Sequence, residues 1–409
     1  MVDIVKDGIE ETPIVVKEDE AKEIFGSVQL KIDDEVKEKL RKNKVRSEVK
    51  EKTTEYNEED AAQLYKEFSS FLETSTDIIP DTGIKDTIST GIDLVDAILG
   101  GGFVIGALNI IVGQPGSGKS MLAMQTLAQA QKQFKGNLIG AFLDSEESTT
   151  TIRLANLGVK YPKIKPYNDI TVEKVFKFLE GLSVFKQEKN LVSTPSVVIW
   201  DSIANTLSQK ERETEDINSV IGYKAKLLSL LVPKYVSKCA KNNICFLAVN
   251  QLRDSLQMGP YQAPRDLKFM SSSKEMPGGT VLKYNAFQLV EMKTGKVLEA
   301  DKYGFDGIIV KLKCVKNKLF PPNIDIEVAG SFTNGFSNFW TNYEFLKNCK
   351  KLNSGAWNYL VEMPEIKFRT KDAHDLYKSN DEFRQMFDKV AKQTIKEEII
   401  DKFAPQDGI

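Results

Sequence analysis

The chain has 409 residues, 41% of them hydrophobic and 28% charged, with a net charge of −2. That length allows two or three domains with large cores, and the composition is that of an ordinary globular protein with no apolar run approaching the roughly 18 residues of a membrane span. One histidine (His374) and four cysteines (Cys239, Cys245, Cys314, Cys349), none in a CxxC pair, argue against a structural zinc, a disulfide framework or a Ser-His-Asp hydrolase. Carboxylates, amides, lysines and magnesium are left to carry any chemistry. The N-terminal MVDIVKDGIEET is acidic and lacks a signal-peptide apolar region, so the expected location is the cytoplasm.

Residues 1–55 are highly charged and weakly periodic, and read as an extension without a catalytic role. From Glu58 to Leu72 the apolar spacing predicts a helix, followed by an extended piece, TDIIPDTG. Phe68, Phe71, Ile78 and Ile79 could anchor this arm on its own domain or on a neighbouring subunit. Residues 84–333 alternate apolar runs with amphipathic stretches. Strands are predicted at Leu108–Val112, Leu138–Leu143, Val197–Trp200, Ile244–Val249, Phe287–Glu291, Gly307–Lys313 and Asn323–Val328. The first four are continuously apolar, as strands buried on both faces are, and helical segments separate them. The last three follow one another through turns and predict an antiparallel edge. The expected fold class is α/β with a mainly parallel central sheet. Residues 1–83 form its N-terminal extension, and residues 334–409 a small α-rich C-terminal domain.

The segment LNIIVGQPGSGKSM carries Gly113-Gln114-Pro115-Gly116-Ser117-Gly118-Lys119-Ser120-Met121. This matches the P-loop pattern, in which glycines let backbone N–H groups face phosphate oxygens. Lys119 would place a point charge at the β- and γ-phosphates, and Ser120 would offer a hydroxyl to Mg2+. The predicted helix Met121–Gln131 aims its N-terminal dipole at the anion. The bare pattern arises by chance in about one or two per cent of chains of this length, and the preceding strand and following helix lower that further. ATP with Mg2+ is the expected ligand.

Three further strand ends carry polar chemistry. SVVIWDS ends on Asp201, a candidate magnesium ligand or a helix cap. GAFLDSEES offers Glu146 and Glu147 as general bases, or as caps of the next helix. ICFLAVNQLRD ends on Asn250 and Gln251, amides able to sense a γ-phosphate. Two disordered-looking stretches follow these ends, Gln209–Gly222 and Arg253–Gly279. The second mixes Arg253, Arg265, Lys268 and Lys274 with Met258, Tyr261, Phe269 and Met270. Cations bind phosphates and flat groups stack on bases, so it reads as a DNA-binding loop or as a surface lid.

These signatures, in this order, resemble the RecA family of recombinases. DTISTGIDLVDAILGGG is similar to the family's approach to the P-loop, and GAFLDSE to its strand-plus-glutamate motif, whose register selects Glu146. VNQLRD resembles the motif whose glutamine, here Gln251, links ATP to DNA. PGGTVLKYNAFQLV is similar to the end of the second DNA-binding loop, with Gly278 and Gly279. CVKNKLFPP resembles the lysine pair that reaches a neighbour's ATP, here Lys316 and Lys318. GAWNYL resembles a C-terminal signature, with Asn358 where an aromatic is common. The likeness covers about 85–360. It implies a DNA-dependent ATPase that forms helical filaments on single-stranded DNA and exchanges strands with homologous duplex. Single-strand-binding and loader proteins are implied as partners. The charged N-terminal extension, the helical tail FRQMFDKVAKQTIKEEIIDKF and the missing Asp and Tyr around Glu147–Arg153 depart from the cellular form. They resemble the phage UvsX-like branch, which would place the protein in the host cytoplasm. Alternatives are a hexameric helicase on the same core, disfavoured by the lysine pair, and a recombination accessory ATPase.

Overall fold

The computed structural model describes residues 86–147, 149–160, 166–254 and 274–403, together with Gln63, Lys66 and Glu67. The chain divides into two units, residues 1–82 and 83–409. Of the first, the three described residues are helical, and Gln63 Nε2 donates to Glu67 Oε1 across one turn (2.9 Å). The anchors Phe68, Phe71, Ile78 and Ile79 lie outside the described residues.

The second unit opens with strand β1 (Thr87–Ile88), helix α1 (Asp93–Leu99) and strand β2 (Phe103–Val104), which pairs antiparallel with β1. Asp96 draws this entry together by accepting from Ser89 Oγ (2.5 Å), Thr90 N (2.8 Å) and Thr90 Oγ1 (2.7 Å). Beyond it run β3 (Leu108–Gly113), α2 (Lys119–Gln133), β4 (Ile139–Asp144), β5 (Pro166–Tyr167), α3 (Val172–Glu188), β6 (Ser196–Asp201), α4 (Tyr223–Lys241) and β7 (Ile244–Gln251). The short β8 (Arg253–Asp254) and β9 (Lys274–Glu275) pair antiparallel with each other before α5 (Thr280–Asn285). Then come β10 (Gln288–Leu298), β11 (Gly307–Asn317), β12 (Ile324–Ser331) and β13 (Gly335–Phe336).

One nine-stranded sheet organises the unit in the order β13-β12-β11-β10-β3-β7-β6-β4-β5. From β10 to β5 every pair is parallel, and from β10 to β13 every pair is antiparallel. This is the α/β class expected from the sequence. All residues of β3 and β6 are buried, because alternate side chains enter cores on opposite faces. Ile111, Val197 and Ile199 pack with Leu122 and Leu127 of α2 on one face. Ile110, Val112, Val198 and Trp200 pack with Leu179 and Leu228 of α3 and α4 on the other.

One expectation needs correction. β10 and β11 run well past the predicted Glu291 and Lys313, to Leu298 and Asn317. Residues 293–297 are exposed, so the ladder of this hairpin continues where no apolar run marks it. The C-terminal region is α-rich, as expected, and also carries strands. Beside α6 (Asn338–Asn348), α7 (Ala373–Ser379) and α8 (Asp381–Ile395) it holds a three-stranded antiparallel sheet of Leu352–Asn353, Asn358–Leu360 and Met363–Phe368. These strands are too short to show a period. An aromatic core of Trp340, Tyr343, Phe383 and Phe387 holds the region together.

Candidate nucleotide site and its flanking loops

Parallel register sets the site. Gly113 stands opposite Gln251, Asp201 opposite Val249, and Asp144 opposite Asp201, so the carboxyl ends of β3, β7, β6 and β4 form one rim. Ligands of open α/β sheets bind beyond such a rim.

The loop from Gly113 to Gly118 leaves β3 and enters α2. A side chain on Gly113 would meet Met292 O at 2.2 Å and Ser117 Oγ at 2.7 Å, so the close approach of β10 requires glycine. Gly118, with φ +83°, opens α2 and lies against the Phe336 ring. Ser117 Oγ donates to Gln114 O (2.8 Å), drawing the loop into a curl. Gln114 and Pro115 are exposed at its crest. Lys119 Nζ folds over the curl and donates to Gln114 O (2.8 Å). Burial lowers the Lys119 pKa, while the Asp201 and Glu146 charges oppose that shift. Met121 is buried in the core, and its Cε would lie 3.5 Å from a Cβ placed on Gly118, so its side chain packs beside the loop.

The Ser120 hydroxyl donates to the Asp201 carboxylate. Asp201 is 6% exposed, and burial, aided by Glu146 and Asp144, pushes its pKa up to about 6 against the Ser120 and Lys119 contributions. A hydroxyl and a buried carboxylate side by side are the hard oxygen donors that Mg2+ takes, so these residues fit the ion.

The acidic run after β4 divides its labour. Asp144 is buried and accepts from Glu146 N (3.0 Å) and Thr149 N (2.9 Å), which folds the turn. Glu147 has φ +51° and accepts from Asp169 N (3.4 Å). Glu146 instead faces the rim. Its Oε1 accepts from Asn205 Nδ2 (2.6 Å), Ser202 Oγ (3.1 Å) and Gln251 Nε2 (3.4 Å). The two glutamates that chemistry alone left equivalent are therefore separated by geometry. Asn205 and Ser202 escaped sequence reading, because a lone amide four residues past a strand end carries no motif.

Asn250 is fully buried and ties the strand end to the far side of the second loop, donating from Nδ2 to Pro277 O (2.8 Å). Gly278 (φ +101°) and Gly279 (φ +82°) follow, and a side chain on Gly278 would meet Leu282 at 2.6 Å. Arg265, Lys268 and Phe269 lie outside the described residues, as do the side chains of Arg253 and Lys274. The first loop is corrected: it holds a helix, Gln209–Glu213, and a 3-10 turn, Ile217–Val220. Ser208 and Glu211 form a reciprocal capping box there, a signal present in the sequence as S-x-x-E.

Lys316 and Lys318 are not brought to this rim. Leu289 is opposite Lys316 and also beside Ile110, while Gln288 is opposite Asn317 and beside Asn109. Lys316 thus sits toward the amino end of β3, three residues and roughly 10 Å along the strand from Gly113, and Lys318 lies beyond Asn317. Lys316 Nζ donates to Lys283 O (2.8 Å) and Tyr284 O (2.7 Å) at the carboxyl end of α5. Burial lowers its pKa, and the Lys318 charge acts in the same direction. Lys318 Nζ lies over the Phe287 ring (5.6 Å). Asn317 Nδ2 pins the turn to Ile98 O (3.2 Å).

The fold and rim together define a P-loop nucleotide-binding protein. The RecA N-terminal domain family matches residues 76–337, and the chain belongs to the RecA family. It is 28% identical over 273 residues to Protein RecA of Crocosphaera subtropica, covering 66% of this chain and 72% of that one. Against Protein RecA of Thermus aquaticus the identity is 29% over 252 residues, covering 61% and 68%. Against that of Mycoplasmopsis pulmonis it is 26% over 312 residues, covering 75% and 85%.

Proposed function

We propose that this chain is a DNA-dependent ATPase that assembles on single-stranded DNA, pairs it with homologous duplex and exchanges strands. The observation that carries the reading is the contact of Gln251 Nε2 with Glu146 Oε1 (3.4 Å). Gln251 ends β7, its neighbour Asn250 holds the end of the second loop, and Glu146 is the carboxylate that Gln251 touches. A change in that loop therefore acts directly on the group that orients water.

In this reading Glu146 accepts a proton from the attacking water, while Lys119 and the N–H groups of residues 113–120 hold the phosphates. Ser120 and Asp201 hold Mg2+, which supplies charge neutralisation at the phosphate oxygens when bound. Lys316 and Lys318 stand too far from their own P-loop to reach a γ-phosphate on it. They serve the site of the next subunit in a filament, stabilising charge on the transferring group. Arg253, Arg265, Lys268, Phe269 and Lys274 are assigned to DNA. Helix α5 joins the two functions, since it starts at Gly279 beside the loop and ends on Lys316.

The test compares ATP hydrolysis with and without single-stranded DNA, for the wild type and for Lys316→Ala/Lys318→Ala. Strong stimulation in the wild type, lost in the double variant with ATP binding retained, is expected. Absence of stimulation in the wild type would leave an accessory ATPase. Stimulation retained in the variant would remove the lysines from catalysis.

A further inference from the structure

Asn205 makes the shortest of the three contacts to Glu146 Oε1, at 2.6 Å, yet its side chain is exposed and no motif marks it. Its backbone is rigidly mounted. Trp200 Nε1 donates to Thr206 Oγ1 (2.7 Å), which donates to Ser202 O (2.7 Å), and Thr206 N bonds the same carbonyl (3.1 Å). Ser145 locks this turn to the strand carrying the glutamate: its N–H donates to Asp201 O (2.8 Å), its Oγ donates to Ser202 O (3.1 Å), and its Oγ accepts from Ser202 N (2.9 Å). Lys224 Nζ, at the start of α4, donates to Ala204 O (3.1 Å) and joins the turn to the far end of the first loop.

We infer that Asn205 is a positioning residue for Glu146: its amide fixes Oε1 so that Oε2 is presented to the attacking water. The inference rests on the reading of Glu146 as the group that orients water. Ser202 Oγ at 3.1 Å and Gln251 Nε2 at 3.4 Å approach the same oxygen less closely. Gln251 adjoins Asn250, which holds the second loop, whereas Asn205 and Ser202 ride on the turn after β6, and of these two Asn205 makes the shorter contact. A carboxylate held by one strong donor on a braced turn keeps a single orientation, whereas a free glutamate samples several rotamers. Misplacing a reacting group by about 1 Å costs on the order of 10²-fold in rate. Ser202 and Gln251 retain part of the orientation, so removing Asn205 alone should cost on the order of 10-fold.

The test uses the full chain with ATP, Mg2+ and single-stranded DNA, comparing wild type, Asn205→Ala, Asn205→Asp and Glu146→Gln by steady-state and single-turnover hydrolysis. Asn205→Ala is expected to lower kcat about 10-fold with KM for ATP and melting temperature unchanged. Asn205→Asp keeps the shape but replaces the donor with a second carboxylate oxygen, and should fall below the alanine variant. In the Glu146→Gln background, Asn205→Ala should add no further loss, because a positioning residue acts only through the group it positions. An aspartate variant as active as the wild type, or an alanine variant with unchanged kcat, overturns the proposal. If the wild type hydrolyses ATP without DNA stimulation, the recombinase reading fails, and the same variants still decide Asn205 on the basal rate. If the wild type does not hydrolyse ATP, both fall.

Discussion

Glu146 and Glu147 are adjacent and chemically alike, and the backbone alone separates them. Asp144 captures the amide of Glu146 and so turns that side chain toward Asn205, Ser202 and Gln251, while the positive φ of Glu147 directs it to Asp169. Glu146→Gln is therefore expected to retain ATP binding and lose roughly 10²- to 10⁴-fold in hydrolysis, the usual worth of a general base. Glu147→Gln should leave hydrolysis near the wild-type rate. Single-turnover rates with a parallel nucleotide-binding titration check both. At Gly113 the constraint is steric: Gly113→Ala places a methyl 2.2 Å from Met292 O, and must push β10 away from the P-loop strand. That variant should lose nucleotide binding and stability together, seen as a lower melting temperature that added ATP does not restore.

At the scale of elements, α2 is fastened to the far edge of the sheet by one amide. Gln125 Nε2 donates to Phe336 O (2.9 Å) and Gln125 Oε1 accepts from Phe336 N (3.0 Å), so a side chain completes the ladder of β13. Gln125→Leu would leave both buried backbone groups without a partner, and is expected to cost about 2 kcal/mol or more, read as a shift in urea midpoint at constant slope. The C-terminal core supplies a pH effect. His374, stacked on Phe339 (5.2 Å), has its pKa lowered, first by burial and then by Lys378. The unfolded chain then binds a proton near pH 6.5 that the folded chain resists, so this contribution to stability is intact above pH 6.5 and declines as pH falls below it. Unfolding midpoints at pH 7.5 and 5.5 should differ less for His374→Gln than for the wild type. The imidazole signal of the one histidine in the chain can be followed directly.

The limits of sequence reading lie at the same scale. β3, β4, β6 and β7 were legible because burial on both faces writes a continuous apolar run, and Gly113–Ser120 because phosphate cradles demand glycines at fixed spacing. The hairpin of β10 and β11 was legible as two strands, but the outer part of β10, residues 293–297, was not, since it is exposed. The helix at Gln209–Glu213 could have been found from its capping box. The meeting of Asn205 with Glu146, and of Gln125 with Phe336, depends on side chains 59 and 211 residues apart and has no local signature.

Across the whole molecule, the register of β10 and β11 separates two sets of residues that the proposed reaction draws on. Glu146, Lys119 and Asp201 lie at the carboxyl rim, whereas Lys316 and Lys318 lie toward the other end of β3. A heterologous, head-to-tail contact between copies brings such separated sets together, and generates a filament when the rotation does not close. The account's central claim is a site completed by a neighbour, and mixing two inactive proteins tests it most directly. Glu146→Gln supplies intact lysines, and Lys316→Ala/Lys318→Ala supplies an intact glutamate. On single-stranded DNA at equal concentrations, random assembly pairs the two intact sets at roughly a quarter of the sites. Hydrolysis by the mixture well above the sum of the separate proteins is predicted. A mixture no more active than that sum, with both variants bound to the DNA, would contradict the account.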